Sequence, residues 1–114
     1  MHPIVYGIPN CDTVKKARAW LSEHGVQATF HDFKKQGVPV AELQTWLDQW
    51  GWEKLLNRQG TTWRQLDPAT QASVIDAASA AKVMSAHPST IKRPVIAWPS
   101  GQITVGFVPD QWPV

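Results

Sequence analysis

The sequence predicts a single α/β domain over residues 1–114, built on a four-stranded mixed sheet with helices packed around it. Three observations lead there. A strand–helix–strand pattern opens the chain, helical segments fill its middle, and two apolar strands joined by a tight turn close it. With 114 residues, 43% of them hydrophobic and 18% charged, the chain is long enough to bury its own core and too apolar to stay disordered.

Ile4-Val5-Tyr6-Gly7-Ile8 is a short apolar run, as expected for a strand buried on both faces, and Pro9-Asn10 breaks it. Val14, Ala17, Trp20 and Leu21 follow at helical spacing, with Gly25 placed to stop the helix. From Val26 to Phe33 the pattern changes: Val26, Ala28 and Phe30 alternate with Gln27, Thr29 and His31, the period of a half-buried strand. Such a unit closes as a right-handed crossover, so its two strands are expected to be parallel.

The middle reads as helices. Leu43, Trp46, Leu47 and Trp50 share one face of a helix over 42–50, between Pro39 and Gly51. A second piece covers 52–58 and ends near Gly60, and Thr61-Thr62 can cap a short turn through Trp63 and Leu66. Asp67-Pro68 is another capping pair, and the alanine-rich stretch from Ala72 to Ala86 favours one long helix. Ile91–Trp98 and Gln102–Phe107 then read as strands joined by Pro99-Ser100-Gly101 in a hairpin. No repeat, low-complexity stretch or linker interrupts the order.

Composition narrows the function classes. A formal net charge of +2 with interspersed signs and no polybasic run argues against nucleic-acid or membrane-surface partners. No apolar run reaches membrane-spanning length and the first residues do not resemble a secretory signal. A single cysteine makes no internal disulfide, which fits a reducing cytoplasm, and nothing requires more than a monomer. The seven tryptophans are expected to be core and half-buried side chains rather than a binding surface.

The chemistry centres on Cys11. A thiol reacts as its thiolate, and Cys11 stands where a strand ends and a helix begins, where unpaired backbone N–H groups and the helix dipole favour an anion. Lys15, one turn on, is expected to add positive charge and Asp12 to oppose it. Position alone leaves a second reading open, because free cysteine is also among the most buried residue types. Arg93-Pro94 is the other notable pair. A proline at a strand entrance is tolerated and sometimes cis, and Arg93 offers a planar charged fork for a carboxylate or oxyanion, although alone it reads as a surface ion pair. His2, His24, His31 and His87 lack ligand spacing, so no metal site is expected. No G-x-S-x-G or phosphate-binding glycine loop occurs.

Three blocks in order resemble the arsenate reductase (ArsC)/Spx/YffB family, closest to its YffB-like branch. They are the stretch 6–21 around Cys11, Leu55-Leu56-Asn57-Arg58-Gln59-Gly60-Thr61-Thr62-Trp63-Arg64, and His87-Pro88-Ser89-Thr90-Ile91-Lys92-Arg93-Pro94-Val95. The resemblance implies a thioredoxin-like fold of ArsC type, with a helical insertion over about 40–88 between its βαβ and ββ halves. It implies that Cys11 is the redox nucleophile, that Pro94 is the cis-proline facing it, and that Arg93 helps hold an anionic group. Asn10, Lys15, Pro94 and Arg58 (or its neighbour Asn57, one position out of register) are the residues it points to for substrate or glutathione.

Two departures matter. Val14 occupies the place of the second cysteine in the C-x-x-C switch of many Spx proteins. Gly106 stands where arsenate reductases of this family bring a third arginine to the oxyanion, and losing that cation removes a charge-assisted contact. The expected activity is therefore a thiol–disulfide oxidoreductase, with no bound cofactor and glutathione as co-substrate, acting on a small-molecule or protein disulfide. The alternatives are an Spx-like regulator that binds a partner such as RNA polymerase and, less favoured, a weak arsenate reductase.

Overall fold

A computed structural model describes residues 1–114. Its strands are β1 (Ile4–Gly7), β2 (Thr29–Asp32), β3 (Val95–Ala97) and β4 (Ile103–Val105). They form one sheet in the order β2-β1-β3-β4. β1 and β2 are parallel, β3 is antiparallel to β1, and β4 is antiparallel to β3. This is the expected mixed sheet, with the first crossover made by helix α1 (Asp12–Glu23).

The chain groups into two compact units. The first, residues 1–36 with 93–114, is the sheet frame, and the second, 37–92, is the helical insertion. In the frame, Ala17 and Leu21 of α1 pack with Val5, Ile96, Trp98 and Trp112 into one core cluster. Each of these is at most 5% exposed, so the spacing that marked the inner face of α1 does bury that face. Trp20 and Trp98 flank Trp112 with ring centroids at 5.2 and 5.7 Å, and Phe107 meets it edge-on. The tryptophans thus fill cores as expected: Trp46, Trp98 and Trp112 are buried, and Trp20, Trp50, Trp52 and Trp63 are half-buried.

The insertion consists of short helices: α3 (Val40–Trp50), α4 (Trp52–Leu55), α5 (Thr61–Gln65), α6 (Pro68–Ala72) and α7 (Ala77–Ala86), then a 3₁₀ turn over Pro88–Thr90. α3 packs on α4 and α7, and Leu43, Trp46, Leu47, Leu55, Val83 and Met84 are buried. Asp67 caps α6 as expected, its carboxylate accepting from the Thr70 N–H at 3.2 Å.

Several expected elements are shorter than their patterns, the first and last strands among them, which end at Gly7 and span only Ile103–Val105. The strand read from Val26 begins only at Thr29, because 25 and 26 close the end of α1. There the Gly25 N–H donates to the Ser22 carbonyl and the Val26 N–H to the Leu21 carbonyl, a Schellman ending. Ala28 is exposed, and Phe33 begins a further short helix, α2 (Phe33–Gln36), so the alternation does not extend through 26–33. The helix expected over 52–58 stops at Leu55. Leu56 pairs with Ile91, the Asn57 N–H donates to the Thr90 carbonyl at 2.7 Å, and the Lys92 N–H donates to the Leu55 carbonyl at 2.9 Å. The helix expected over 72–86 begins only at Ala77: α6 ends at Ala72, and Asp76 and Ser79 form the capping box that starts α7. The strand expected from Ile91 begins at Val95, because Ile91 is taken by Leu56 and Pro94 has no N–H for a ladder. No helix is long and apolar enough to cross a membrane.

Candidate active site

The site follows from the order of the strands. β1 runs to Gly7 and the chain continues through Ile8, Pro9 and Asn10 to Cys11. β3 lies antiparallel beside β1 with Tyr6 opposite Val95. The residues just before Val95 therefore fall at the end of β1, which is where Cys11 starts α1. Arg93 and Pro94 are those residues. The Arg93–Pro94 peptide bond is cis, as the family resemblance implied, and the Pro94 carbonyl accepts from the Gly106 N–H of the closing hairpin at 2.9 Å.

Cys11 is the N-cap of α1, with φ −137° and ψ 123°, and its carbonyl accepts the first helical hydrogen bond from the Lys15 N–H at 2.9 Å. At an N-cap the side chain is directed toward the N–H groups two and three residues on. In a serine or aspartate cap an oxygen fills that role; here the group is a half-buried sulfur. It closes no regular side-chain cap bond, yet those donors act on it. Burial is the largest single influence and opposes the charged form. The Val14 N–H, a hydrogen bond from Arg93, the charge of Arg93 and the Thr13 N–H together outweigh it, so the thiol pKa lies below its ordinary value. The site can thus present a thiolate, with a guanidinium beside it to hold the charge.

The remaining expected residues are placed less centrally. Pro94 is buried beside Arg93, whereas Asn10 and Lys15 are exposed on either side of Cys11 in the chain. Neither the Lys15 charge nor Asp12 is among the principal influences on the thiol, so the expected contest between them is replaced by backbone donors and Arg93. Arg58 and Asn57 belong to the insertion. Arg58 is exposed with its guanidinium 5.5 Å from the Trp52 ring centroid, and Asn57 Oδ1 accepts from the Gln59 N–H at 3.2 Å. Gly106 has φ +86°, a conformation that L side chains rarely adopt, so an arginine at this position would strain the backbone here. The donors that sequence reading left unnamed are the Thr13 and Val14 N–H groups. Their signal was positional, two and three residues after the capping cysteine.

A cavity of about 410 Å³ lies elsewhere in the frame, lined by Arg18, Leu21, Val26 and Phe30 among others. Cys11 does not line it, and its lining holds no cysteine, histidine or carboxylate. The chain's one thiol lies instead at the Cys11–Arg93 end of the sheet.

The model of the ArsC family matches residues 6–113. A solved structure of a YFFB protein is 49% identical and superposes with a TM-score of 0.88, covering 95% of this chain and 93% of the other. An uncharacterised protein of Haemophilus influenzae is 42% identical over 103 residues, covering 90% of this chain and 89% of its own length. The global transcriptional regulator Spx of Streptococcus agalactiae is 28% identical over 105 residues, 90% of this chain and 74% of the regulator. A thioredoxin-like frame, a capping cysteine and a cis-proline arginine thus occur in a chain matched over nearly its full length, and the chain belongs to the ArsC family.

Proposed function

We propose that this protein is a thiol–disulfide oxidoreductase in which Cys11 is the single nucleophile and glutathione the co-substrate. The observation that carries the reading is the pairing of Cys11, at the start of α1, with Arg93 just before the cis-proline. In the first step the Cys11 thiolate attacks one sulfur of a disulfide R–S–S–R′. The Cys11–S–S–R bond forms, the substrate S–S bond breaks, and R′S⁻ leaves and takes a proton. Cys11 is the sole cysteine, so no second thiol of the chain can resolve this adduct. A glutathione thiolate attacks the sulfur of R, forming the disulfide of R with glutathione and returning Cys11 as thiolate. Where R is itself glutathione, the product is glutathione disulfide.

Arg93 stabilises the thiolate as attacking and as leaving group, since a thiol of lower pKa leaves faster. Arg93 and Lys15 are the cations available to the glutathione carboxylates, and Asn10 and Pro94 border the sulfur in the chain. Arg58 is a weaker contributor. A monomer in a reducing cytoplasm suits a mechanism that borrows its second thiol. The test is turnover of a glutathione mixed disulfide with glutathione, alongside mass spectrometry after exposure to glutathione disulfide. Wild-type protein is expected to turn over and to carry one glutathione adduct, and Cys11→Ser to lose both. Unchanged turnover in Cys11→Ser would sink the mechanism.

The similarity to Spx supports a second reading, a regulator that docks on RNA polymerase. Val14 in place of a second cysteine argues against a redox switch of C-x-x-C type, and no tryptophan is exposed for docking. Recovery of RNA polymerase subunits by both wild-type and Cys11→Ser protein would favour this reading.

A further inference from the structure

β1 and α1 meet tightly at Gly7 and Val14. A β-carbon at position 7 would stand 2.8 Å from Val14 Cγ2 and 3.5 Å from Cγ1. Real β-carbons essentially never come within 3.0 Å of another heavy atom, so any side chain there would force something to move. Val14 cannot step aside easily. It is fully buried, and as a β-branched residue in a helix it is held strongly to one χ1 rotamer, so turning its methyls away from position 7 is costly. Gly7 is buried as well.

The same Val14 acts on the reactive sulfur from its other side. It stands three residues after the capping Cys11, and its backbone N–H is the foremost of the donors that favour the thiolate. One residue therefore meets the strand with its side chain and, three positions after the cap, supplies an N–H of the kind a capping side chain faces. We propose that Gly7 is a positioning residue for Cys11: its missing β-carbon lets Val14 settle on β1, and that contact holds the first-turn N–H groups of α1 against the sulfur. The inference rests on Cys11 being the reacting group, and it does not depend on which disulfide Cys11 attacks.

The test is the pH dependence of Cys11 alkylation by iodoacetamide in intact protein, for wild type, Gly7→Ala, Val14→Ala and the double variant. Gly7→Ala is expected to move the midpoint upward and to slow alkylation at pH 7 about three-fold or more. Val14→Ala, which loses the anchor without a clash, moves it upward by less. The double variant refills the space and returns the rate to within about two-fold of wild type. Folded Gly7→Ala with the wild-type midpoint overturns the proposal. So does a double variant no nearer to wild type than Val14→Ala, a comparison that still decides if Gly7→Ala alone does not fold. Alkylation needs neither a disulfide nor glutathione, so loss of the oxidoreductase reading would leave this result standing.

Discussion

In the sheet frame, neighbours in space are distant in sequence: β1 lies between β2 and β3, and Cys11 meets Arg93 only because β3 runs antiparallel beside β1. In the insertion most structure is written locally. α6 and α7 begin at Asp67 and Asp76 through contacts three residues long, and the buried positions of α3 are spaced at one turn. The frame thus spends its long-range pairing on placing one thiol and one arginine. In the insertion the main long-range pairing, between residues 55–57 and 90–92, instead cuts α4 short. The difference teaches that a locally coded region can be read helix by helix, while a site made from two chain ends depends on strand order.

If the comparison holds, damage to the insertion core should lower stability without changing the thiol. Trp46 is 1% exposed, and Trp46→Ala is expected to cost about 3–5 kcal/mol in denaturant unfolding. Under native conditions the alkylation midpoint of Cys11 should stay at the wild-type value, because the groups acting on the sulfur all belong to the frame. A shifted midpoint in this variant would break the comparison.

Arg93→Leu tests the frame from the opposite direction. It is expected to raise the Cys11 pKa and slow alkylation at neutral pH by about ten-fold, with a smaller effect on stability. The lowered thiol pKa also has a thermodynamic consequence with a definite sign. A group that loses its proton more readily when folded contributes stability that is fully present above its unfolded pKa, about 8.5 for a thiol, and that is lost as pH falls through the folded value. The stability difference between wild type and Cys11→Ser should therefore grow with rising pH through that window and level off above it. In the Arg93→Leu background the rise should be smaller. A difference independent of pH would show that the sulfur is not stabilised as an anion.

A further effect, on stability alone, is expected in the frame core. Trp98 Nε1 donates to Thr104 Oγ1 at 2.9 Å, and both residues are buried. Thr104→Val keeps the shape and leaves a buried N–H without its acceptor, at a cost of about 1–3 kcal/mol by denaturant unfolding. Trp112 Nε1 already lies buried without a hydrogen-bond partner, so a second such group would be added to the same aromatic core.

Much of this was legible in the residues. The apolar faces of α1 and α3 and the hairpin at 99–101 need only local spacing, because helix and strand periods decide which side chains face inward. The capping box at Asp76 was also legible, yet alanine propensity across 72–86 obscured it. Element ends were less accessible. Leu56 and Ile91 each suit the segment they would extend, and only their pairing with each other removes them from it.

For the site, the same division applies. Local sequence was enough to single out Cys11, since a thiol between a broken strand and a helix start meets N–H donors wherever the rest of the chain goes. The residues also marked Arg93-Pro94, and the family resemblance gave the pair its roles beside the thiol. The folded chain alone showed that Val14 and Thr13 outrank Lys15 around the sulfur, and that a side chain at position 7 has no room. Those are matters of a few tenths of an ångström between a strand and a helix, and no pattern of residue types encodes such distances.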